Sequence, residues 1–469
     1  MHTSTTSTVP LVSWTAAQLL EATQGYWLND QAPNTEIKRI LTDSRDAEAG
    51  DAFLALKGER FDAHAFITQV AEQGCQVAIV SRPIDAEICQ LVVPDTRLAL
   101  GQLGAYRRAQ NPQLKVIALT GSSGKTTTKE MLGSILSRIA PTLVTRGNLN
   151  NDLGVPVMLL ELRPEHQYAV MELGASHQGE IDYTSNLVQP LVAGIINIGT
   201  AHLGEFGGRD GICRAKSEIY AHIAPNGTSI VPAADDFADS IRQAVQTEQM
   251  LSFGAGGEIF ATEIELQAQS ATFKLNTPQG VRQVNLPFAG EHNVQNATAA
   301  AAFALAIGIS LDDIVLGLEQ AVGAKGRLNF IQQGRHLLID DTYNANPTSM
   351  RAAAEVLAQQ EGVRVMVMGD IGELGSSAAQ QHYMLGRDLV SVKGLNFVVA
   401  VGEFAPAAQE GARSTQYGKK MQAFLTQEQA LPFLLSLIET HQPQSMSFLF
   451  KGSRYTHMET LMADLMEKL

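Results

Sequence analysis

A glycine-rich loop between an apolar run and a helix-compatible segment constrains the fold of this chain more than any other feature. The run Val116-Ile117-Ala118 leads into Leu119-Thr120-Gly121-Ser122-Ser123-Gly124-Lys125-Thr126-Thr127-Thr128, and Lys129-Glu130 opens the helix-compatible segment. Strand, loop, Lys-Thr pair and helix in this order are typical of a phosphate-binding loop. The strict pattern has glycine where Leu119 stands, so the alternative is a Gly/Ser turn with an exposed lysine. We favour the phosphate-binding loop because all four parts agree.

The residue types of this loop suit a bound polyphosphate. Glycines carry no Cβ and tolerate positive φ, so the backbone can come close to the phosphates. The loop N–H groups and the helix N-terminus would then face the anion. We expect Lys125 to neutralise charge on the β- and γ-phosphates, and the hydroxyl of Thr126 to hold a Mg²⁺ ion.

The charge of the chain argues against a nucleic acid or an anionic membrane as its partner. There are 34 lysines and arginines against 48 aspartates and glutamates, which gives a net charge of −14. Both partners require a positive surface field. A phosphate ligand must therefore be held by local groups such as loop amides, single basic residues and Mg²⁺.

Length and composition predict a cytoplasmic protein of several domains. The 469 residues, 45% of them hydrophobic, suggest about three domains with sizeable cores. Cys75, Cys89 and Cys213 show no metal-ligand or redox spacing, which fits a reducing compartment. The N-terminus lacks the pattern of a signal peptide. The longest apolar stretch, residues 297–309, is shorter than the ~20 residues that span a bilayer, so we expect no membrane insertion.

Three successive α/β regions are predicted along the chain. Residues 1–94 hold short apolar runs between Gly- and Asp-containing turns, as in a small α/β domain. Residues 95–324 hold the phosphate-binding loop and further strand candidates between helical stretches, which predicts a parallel, helix-covered sheet. Within it, residues 267–286 alternate like antiparallel β-structure. Residues 325–469 hold strands that end in Gly or Asp, so we predict a Rossmann-like domain without a dinucleotide fingerprint.

Two predicted strands of the central region end in candidate metal ligands. Glu172 follows one strand and His202 follows the next. Parallel strand ends open on one edge of a sheet, so both could ligate Mg²⁺ or orient its waters beside the loop. The alternatives are a solvated carboxylate for Glu172 and a capping histidine for His202. For Lys216, in a helix-like segment, the pattern alone favours a solvent-facing side chain.

Two polar clusters could contact a nucleotide. Asn293 and Asn296 precede an alanine-rich helix. Their amides could read an adenine edge, or they could be N-cap residues of that helix. The segment Asp340-Asp341-Thr342-Tyr343-Asn344-Ala345-Asn346-Pro347 directly follows an apolar strand, and such a density of polar residues there indicates a site more than a plain turn.

Together these segments resemble the Mur ligase family, the ATP-dependent amino-acid ligases of peptidoglycan precursor synthesis. The resemblance covers essentially the whole chain, and the order of the motifs makes it specific. The motifs are Thr120-Gly121-Ser122-Ser123-Gly124-Lys125-Thr126-Thr127, Glu172-Leu173-Gly174, Ala215-Lys216-Ser217-Glu218-Ile219, His292-Asn293-Val294-Gln295-Asn296-Ala297 and Gly326-Arg327. It implies a three-domain α/β fold: a UDP-sugar domain over residues 1–94, a central ATP-binding domain over 95–324 and a Rossmann-like ligase domain over 325–469.

The resemblance also implies an ATP site. Asn293 and Asn296 would contact adenine, Asp341 the ribose, and Arg327 the ATP across a domain boundary. Tyr343, Asn344 and Asn346 would contact the phosphate side or the incoming dipeptide. The whole implied set is Thr120, Gly121, Ser122, Ser123, Gly124, Lys125, Thr126, Thr127, Asn293, Asn296, Arg327, Asp341, Tyr343, Asn344 and Asn346.

The family further implies two Mg²⁺ ions and a modified lysine. Thr126 and Glu172 would hold Mg²⁺, with His202 at the second ion. Lys216 matches the lysine that CO₂ carbamylates in this family, a change that turns a cation into a carboxylate-like group able to support Mg²⁺. This reverses the solvent-facing interpretation of Lys216. The implied catalytic residues are Lys125, Lys216 and His202.

Within the family, residues 147–156, 341–347 and 368–375 resemble the members that use D-alanyl-D-alanine as the incoming amine, and this resemblance implies a UDP-N-acetylmuramoyl-tripeptide as its acceptor. The resemblance places the acceptor on Ser44, Arg45, Lys57, Gly58, Arg60 and Phe61, with Asn148 and Asn151 as further contacts. Without the family, the first six would be a turn and a solvated charge cluster. Lys451, Arg454 and His457 map onto no motif with certainty, so their roles stay open. We expect a monomer.

Three alternative functions stay open at this point. They are a sibling ligase that adds another amino acid, a folylpolyglutamate-type ligase, and a phosphate-loop NTPase that acts as a switch or binding module. Residues 1–94 speak against the second, because such ligases usually lack a comparable UDP-sugar domain. The third would not need Lys216, the asparagine pair and a full C-terminal domain.

Overall fold

The computed structural model describes residues 12–58, 61–200 and 203–469. Backbone contacts group these residues into two units. The first unit holds the described residues up to Ala118 together with Ala140–Gly174 and Glu180–Leu191. The second holds the described residues of Leu119–Ile139, Ala175–Gly179 and Val192–Leu469. The predicted α/β class is confirmed, since helices alternate with the strands of several mainly parallel sheets.

The N-terminal part of the first unit is a five-stranded sheet with helices packed on it. Its elements are α1 (Ala16–Thr23), β1 (Tyr26–Trp27), β2 (Ile40–Leu41), β3 (Ala52–Leu54), α2 (Ile67–Glu72), β4 (Val77–Val80), β5 (Cys89–Val92) and α3 (Thr96–Ala109). The strand order is β1-β5-β4-β3-β2, with only the β1–β5 pair antiparallel. Every residue of β4 is buried, as in a parallel sheet covered on both faces. This is the small α/β region that the sequence predicts.

The next elements carry the glycine-rich loop. They are β6 (Lys115–Thr120), α4 (Lys125–Ser137), β7 (Thr142–Val144), α5 (Gly154–Leu160), β8 (Tyr168–Glu172), α6 (Glu180–Val188), β9 (Val192–Ile195), α7 (Leu203–Phe206), α8 (Arg209–Ser217), β10 (Thr228–Pro232), α9 (Ala238–Ala244) and β11 (Gln249–Phe253). The six strands are ordered β11-β10-β9-β6-β8-β7. The pairs β7–β8, β9–β10 and β10–β11 are parallel. The helices between them supply the crossovers that parallel pairing needs.

An antiparallel sheet and two helices complete the central region. They are β12 (Phe260–Leu266), β13 (Ala271–Thr277), β14 (Gly280–Leu286), α10 (Glu291–Ala306) and α11 (Leu311–Glu319). The predicted antiparallel structure is therefore present and begins earlier, at Phe260. The alanines of α10 are buried on nearly all sides, because this helix packs on α4 and under the antiparallel sheet. Small side chains permit such close packing.

The C-terminal part of the second unit is a six-stranded, helix-covered sheet. Its elements are β15 (Asn329–Gln333), β16 (His336–Asp340), α12 (Pro347–Ala358), β17 (Val363–Gly369), α13 (Ala378–Val390), β18 (Phe397–Val401), α14 (Ala405–Arg413), β19 (Met421–Phe424), α15 (Gln427–Thr440), β20 (Met446–Lys451) and α16 (Met458–Met466). The order is β15-β16-β20-β17-β18-β19, and only β15–β16 is antiparallel. Separate apolar clusters line its two faces. This is the predicted Rossmann-like arrangement.

Within the described part of the chain, none of the helices combines the length and the apolar character needed to cross a bilayer.

Candidate nucleotide site

The glycine-rich loop has the predicted strand–loop–helix form. Strand β6 ends at Thr120, and α4 begins at Lys125 with Gly124 as its N-cap at φ +78°. Residues other than glycine are strained at this φ. A Cβ added to Gly124 would also clash with Oδ1 of Asn296. Both the backbone conformation and the available space therefore require glycine. The first amides of α4 lack helical partners, and the positive end of its dipole faces the loop.

Asn197, just beyond β9, fixes the shape of the loop. Its backbone carbonyl accepts the N–H of Ser122 at 3.1 Å, and its side-chain oxygen accepts the N–H of Ser123 at 3.0 Å. Its amide nitrogen donates to the carbonyl of Ser123 at 3.0 Å. No role for Asn197 was predicted from the sequence, since nothing local connects it with a loop 74 residues earlier.

The loop side chains fit an anion. Lys125 Nζ donates to the carbonyl of Gly121 at 2.8 Å, which holds the ammonium over the loop. Among the described residues, the buried hydroxyl of Ser122 has no hydrogen-bond partner. A buried hydroxyl without a partner is costly, and a phosphate oxygen would satisfy it.

The loop lines a cavity of about 660 Å³ within the second unit, a volume that suits a small-molecule ligand. Twelve of the predicted nucleotide residues line this cavity: Ser122, Ser123, Gly124, Lys125, Thr126, Thr127, Asn293, Asn296, Arg327, Asp341, Asn344 and Asn346. Three of the set do not. Thr120 is buried at the end of β6, Gly121 supports Lys125, and Tyr343 lies against Arg327.

The asparagine pair lies inside α10, so the N-cap alternative is wrong: the helix begins at Glu291 with Gly290 as its N-cap. Asn293 Nδ2 donates to the carbonyl of Ala289 at 2.8 Å, and Asn296 Nδ2 donates to Asn293 Oδ1 at 3.0 Å. These bonds fix both amides in a buried position. They form one polar wall of the cavity beside the loop.

Arg327 reaches the loop from the segment between α11 and β15. Its guanidinium donates to Thr126 Oγ1 at 3.0 Å and lies over the ring of Tyr343, 4.6 Å from the ring centroid. Thr126 and Arg327 are 201 residues apart in sequence. The structure thus brings together a loop residue and a C-terminal residue that the sequence assigned to the same ligand.

A buried ion pair forms another wall of the cavity. Lys451 Nζ donates to Asp341 Oδ2 at 2.7 Å and to the carbonyl of Asn344 at 2.9 Å. Burial raises the pKa of the Asp341 carboxyl, and the charge of Lys451 opposes that rise. The ion pair is consistent with an ionised carboxylate held by Lys451. The sequence left the role of Lys451 open; its position at the end of β20 was the available signal.

Three further polar side chains of the cavity received no role from the sequence. His292 lies beside the asparagine pair, where burial and then the charge of Lys451 lower its pKa to about 4, so the imidazole is neutral. Asp235 accepts the N–H groups of Ile198 and Phe237. Arg209 pairs with Asp236 at 2.9 Å. The position of Asp235 beyond β10 could have revealed it, whereas Arg209 carries no local signal.

The candidate metal residues are distributed over both units. Glu172 ends β8 in the first unit and is 2% exposed, so the solvated alternative is wrong. It accepts Asn150 Nδ2 at 2.8 Å. Thr126 and Lys216 belong to the second unit. Lys216 is also 2% exposed, which contradicts the solvent-facing pattern. His202 lies outside the described residues.

Taken unit by unit, the candidate oxygen donors are of the kind that Mg²⁺ prefers. The described residues contain no group of three or more histidines, cysteines, aspartates or glutamates that could hold a metal ion. Mg²⁺ prefers oxygen donors and commonly takes one or two protein ligands together with substrate phosphates and waters. A hydroxyl at Thr126 and a carboxylate at Glu172 are donors of that kind.

The described members of the predicted UDP-sugar set lie outside the α-helices and the named strands of the first unit, with Ser44 and Arg45 in a short 3-10 helix. Arg45 is exposed and pairs with Asp43, and this hydrogen-bonded pairing lowers the pKa of the Asp43 carboxyl to about 2. Gly58 donates its N–H to the carbonyl of Phe61 at 2.8 Å, and Phe61 is 60% exposed. Ser44 is half-buried and Lys57 is exposed. Arg60 lies outside the described residues.

The other two predicted acceptor contacts follow β7. Asn148 and Asn151 are both exposed, and Asn151 Oδ1 accepts the N–H of Gly154 at the start of α5. A second cavity, of about 200 Å³, lies in the same unit. Its polar lining includes Arg39, Asp43 and Arg146. None of the seven predicted acceptor residues that the structure describes lines that cavity.

Comparison with known proteins extends these observations to the whole chain. The family model described as Mur ligase middle domain matches residues 119–304. The model described as Mur ligase, glutamate ligase domain matches residues 326–454. The model described as Mur ligase family, catalytic domain matches residues 36–118. The order of the three matches follows the three α/β regions.

Individual relatives agree over nearly the full length. The chain is 41% identical to the UDP-N-acetylmuramoyl-tripeptide–D-alanyl-D-alanine ligase of Escherichia coli strain K12, over 97% of this chain and 99% of that protein. A crystal structure of MurF from Acinetobacter baumannii is 76% identical, with a TM-score of 0.95 over 98% of this chain and 100% of the other.

A more distant solved structure preserves the fold around a nucleotide. MurF from Thermotoga maritima, crystallised in complex with ADP, is 25% identical, with a TM-score of 0.79 over 92% of this chain and 97% of the other. A match at 41% identity over 97% of the chain and three consecutive family matches show the family. The chain belongs to the Mur ligase family.

Proposed function

We propose that this protein is the ATP-dependent ligase that joins D-alanyl-D-alanine to UDP-N-acetylmuramoyl-tripeptide, forming ADP and phosphate. The observation that carries the proposal is the 41% identity, across 97% of the chain, to the Escherichia coli ligase of that name. The intact loop and its cavity supply an ATP site for such a reaction. The ADP complex of the Thermotoga maritima relative supports the same use of nucleotide.

The reaction proceeds through an acyl phosphate. A substrate carboxylate attacks the γ-phosphorus of ATP, ADP leaves, and the amine of the dipeptide attacks the acyl carbon. A tetrahedral intermediate then expels phosphate and yields the amide. The first step brings two anions together, so the site must stabilise negative charge. Lys125, the amides at the start of α4 and Arg327 provide positive charge and donors in the cavity.

Thr126 and Glu172 would hold Mg²⁺, with His202 at a second ion. The bound metal would screen phosphate charge as the carboxylate approaches. Oxygen donors at Thr126 and Glu172 support this assignment. Among the described residues, the buried Ser122 hydroxyl without a partner marks where a phosphate oxygen can be bound.

Lys216 would carry a carbamate derived from CO₂. In that reaction the neutral amine attacks CO₂, loses a proton and becomes an anionic carbamate, which can support Mg²⁺. The burial of Lys216 supports the proposal, because a lysine that only interacts with solvent would be exposed. Native mass spectrometry with and without bicarbonate tests for the carbamate, with Lys216→Arg as the control. A mass of the unsubstituted protein that bicarbonate leaves unchanged would contradict the proposal.

The remaining nucleotide and acceptor contacts are proposed at the predicted positions. Asn293 and Asn296 face adenine and Asp341 faces the ribose, while Ser44, Arg45 and Phe61 bind the UDP-sugar end. The exposed ring of Phe61 and the exposed guanidinium of Arg45 support the acceptor site. We also propose domain boundaries near residues 94 and 324 and a cytoplasmic location. We further propose that the protein is a monomer, and sedimentation velocity would test this oligomeric state.

Phosphate release from ATP tests the function directly. The protein is supplied with UDP-N-acetylmuramoyl-tripeptide, containing either diaminopimelate or lysine, with and without D-alanyl-D-alanine, and the product is weighed. We expect phosphate only when both substrates are present, and a product heavier by the dipeptide. Release without the dipeptide would indicate an NTPase, and release with a single amino acid would indicate a sibling ligase.

A further inference from the structure

The hydroxyl expected to hold the metal already has a cationic partner. The guanidinium of Arg327 donates to Thr126 Oγ1 at 3.0 Å. Thr126 is the second residue of α4 and is buried, so its hydroxyl is approached from the cavity that it lines. The oxygen that would ligate Mg²⁺ in a phosphate-binding loop is thus bonded to a positive charge.

Arg327 is attached to the C-terminal part of the second unit by several contacts. Its guanidinium lies over Tyr343, and the N–H of Tyr343 donates to the carbonyl of Gly326 at 3.1 Å. The N–H of Leu328 donates to Asp341 Oδ1 at 3.3 Å. Residues 326–328 are therefore bound to the segment after β16, and a movement of the Arg327 side chain need not disturb them.

Two other cations of the cavity are paired with carboxylates. Lys451 pairs with Asp341 at 2.7 Å, and Arg209 pairs with Asp236 at 2.9 Å. Among the described residues, Arg327 forms no ion pair: its guanidinium donates to a neutral hydroxyl and lies over an aromatic ring. Its charge also acts on the Asp341 carboxyl, where it lowers the pKa, but no hydrogen bond joins the two side chains. Its charge is thus available to an anion that enters the cavity.

We propose that Arg327 holds the place of the metal at Thr126 in the nucleotide-free protein and transfers to a nucleotide phosphate when the metal arrives. Mg²⁺ binds oxygen at about 2.0–2.1 Å, so with Arg327 still at Thr126 two cations would lie within about 5 Å of each other. A phosphate, by contrast, offers the guanidinium paired acceptors. The inference rests on the proposed ATP site and adds an exchange of partners.

The exchange makes metal binding and the position of Arg327 thermodynamically linked. Coupling between two binding events is reciprocal, so removing the competing cation must change what the metal contributes to nucleotide affinity. If Arg327 opposes the metal at Thr126, its removal increases the gain in ADP affinity caused by Mg²⁺. If Arg327 only binds phosphate, its removal weakens ADP binding by the same factor with and without the metal.

A binding cycle tests the exchange without any turnover. The dissociation constant of ADP is measured by calorimetry in Mg²⁺ and in EDTA for the wild type, Arg327→Gln, Thr126→Val and the double variant. We expect the ratio of the EDTA and Mg²⁺ constants to rise at least about threefold in Arg327→Gln, and not to rise when Arg327→Gln is made in the Thr126→Val background. Lys325→Gln, an exposed cation on the same segment, is the matched control and should leave the ratio unchanged.

The outcomes separate the exchange from the nucleotide site itself. A ratio in Arg327→Gln that stays the same or falls would overturn the exchange while leaving ADP binding intact. A wild type that binds no ADP would overturn the ATP site and the exchange together. A crystal structure with Mg²⁺ and ADP supplies a second measurement: we expect the Arg327–Thr126 contact to open beyond 3.5 Å, and an unchanged contact beside a metal on Thr126 would refute the proposal.

Discussion

The buried charges of Lys451 and Asp341 balance each other in the wall of the cavity. Lys451 is 4% exposed and Asp341 is 8% exposed, yet each satisfies the other. Lys451 also binds the carbonyl of Asn344, so one ammonium connects the ends of β16 and β20. A pair of this kind contributes little net stability, but the loss of one partner leaves the other charge buried alone.

Replacing Lys451 by methionine should destabilise the protein strongly. We expect Lys451→Met to lower the free energy of unfolding by about 3–5 kcal/mol in denaturant titrations. Lys325→Met, at an exposed position, should change the free energy of unfolding by less than about 0.5 kcal/mol. Adding Asp341→Asn should recover part of the loss, because the uncompensated carboxylate is then removed. A double variant no more stable than Lys451→Met would contradict this explanation.

The loss of stability caused by Lys451→Met should depend on pH. Burial raises the pKa of Asp341 and the charge of Lys451 opposes it, so without Lys451 the pKa rises further. A raised carboxyl pKa stabilises the fold when the group is protonated, and this contribution is lost as pH rises through the folded pKa. The destabilisation of Lys451→Met should therefore be smaller at about pH 5 than at about pH 8.

Gly124 should tolerate no side chain. The strain at φ +78° and the clash with Asn296 predict that Gly124→Ala weakens ADP binding by roughly tenfold or more, as measured by calorimetry. Gly147→Ala is the control, since φ is also positive there, at +56°, but nothing lies within 4 Å of the added Cβ. Equal affinities of the two variants for ADP would show that the clash has no consequence.

Among the helices and strands, the ends of the elements carry the site. The loop lies between β6 and α4, Asn197 follows β9, and Asp341 follows β16. Helix α12 shows how one end serves two purposes. Asn346 caps it by accepting the N–H of Ser349 at 2.8 Å, and the same residue lines the cavity.

Exchanging Asn346 for aspartate should separate these two purposes. Aspartate caps helices as well as asparagine, so the free energy of unfolding should change by less than about 0.5 kcal/mol. Its charge would repel a nucleotide phosphate, and we expect Asn346→Asp to weaken ADP by about three- to tenfold in calorimetry. Thr15→Asp, at the N-cap of α1, is the matched control. An unchanged affinity would place the phosphates away from α12.

Across the second unit, the antiparallel sheet is tied to the C-terminal sheet domain by a buried amide. Gln360 Nε2 donates to the carbonyl of Ala268, in the turn between β12 and β13, at 2.6 Å. It also donates to the carbonyl of Val356 at 3.0 Å. The residue is 4% exposed, so water cannot replace these bonds at no cost.

Removing this amide should cost more than its size suggests. We expect Gln360→Ala to lower the free energy of unfolding by about 1–3 kcal/mol, because the carbonyl of Ala268 loses its side-chain donor and the carbonyl of Val356 keeps only the N–H of Gln359. The neighbouring Gln359 is exposed, and Gln359→Ala should change the free energy of unfolding by less than about 0.5 kcal/mol. Denaturant titrations of both variants compare them directly; equal stabilities would mean that the contact with Ala268 contributes nothing.

The sequence by itself determined the features that are local in the chain. The loop from Gly121 to Thr127 is contiguous, and glycine, lysine and threonine at that spacing have few structural alternatives. The apolar run Phe397–Val401 forms β18, since an apolar run between turn residues is also a local signal. The resemblance to a known family assigned Asn293 and Arg327 to one ligand, and both line the same cavity.

Only the tertiary structure decided which distant groups meet. Asn197 on the loop, His292 in the cavity wall and Lys451 against Asp341 come together through strand order, and no spacing in the sequence encodes that order. The same holds for burial. The pattern around Lys216 favoured a solvent-facing lysine, and the fold buries it, because a helix's solvent face is defined by what packs on it and not by its own sequence.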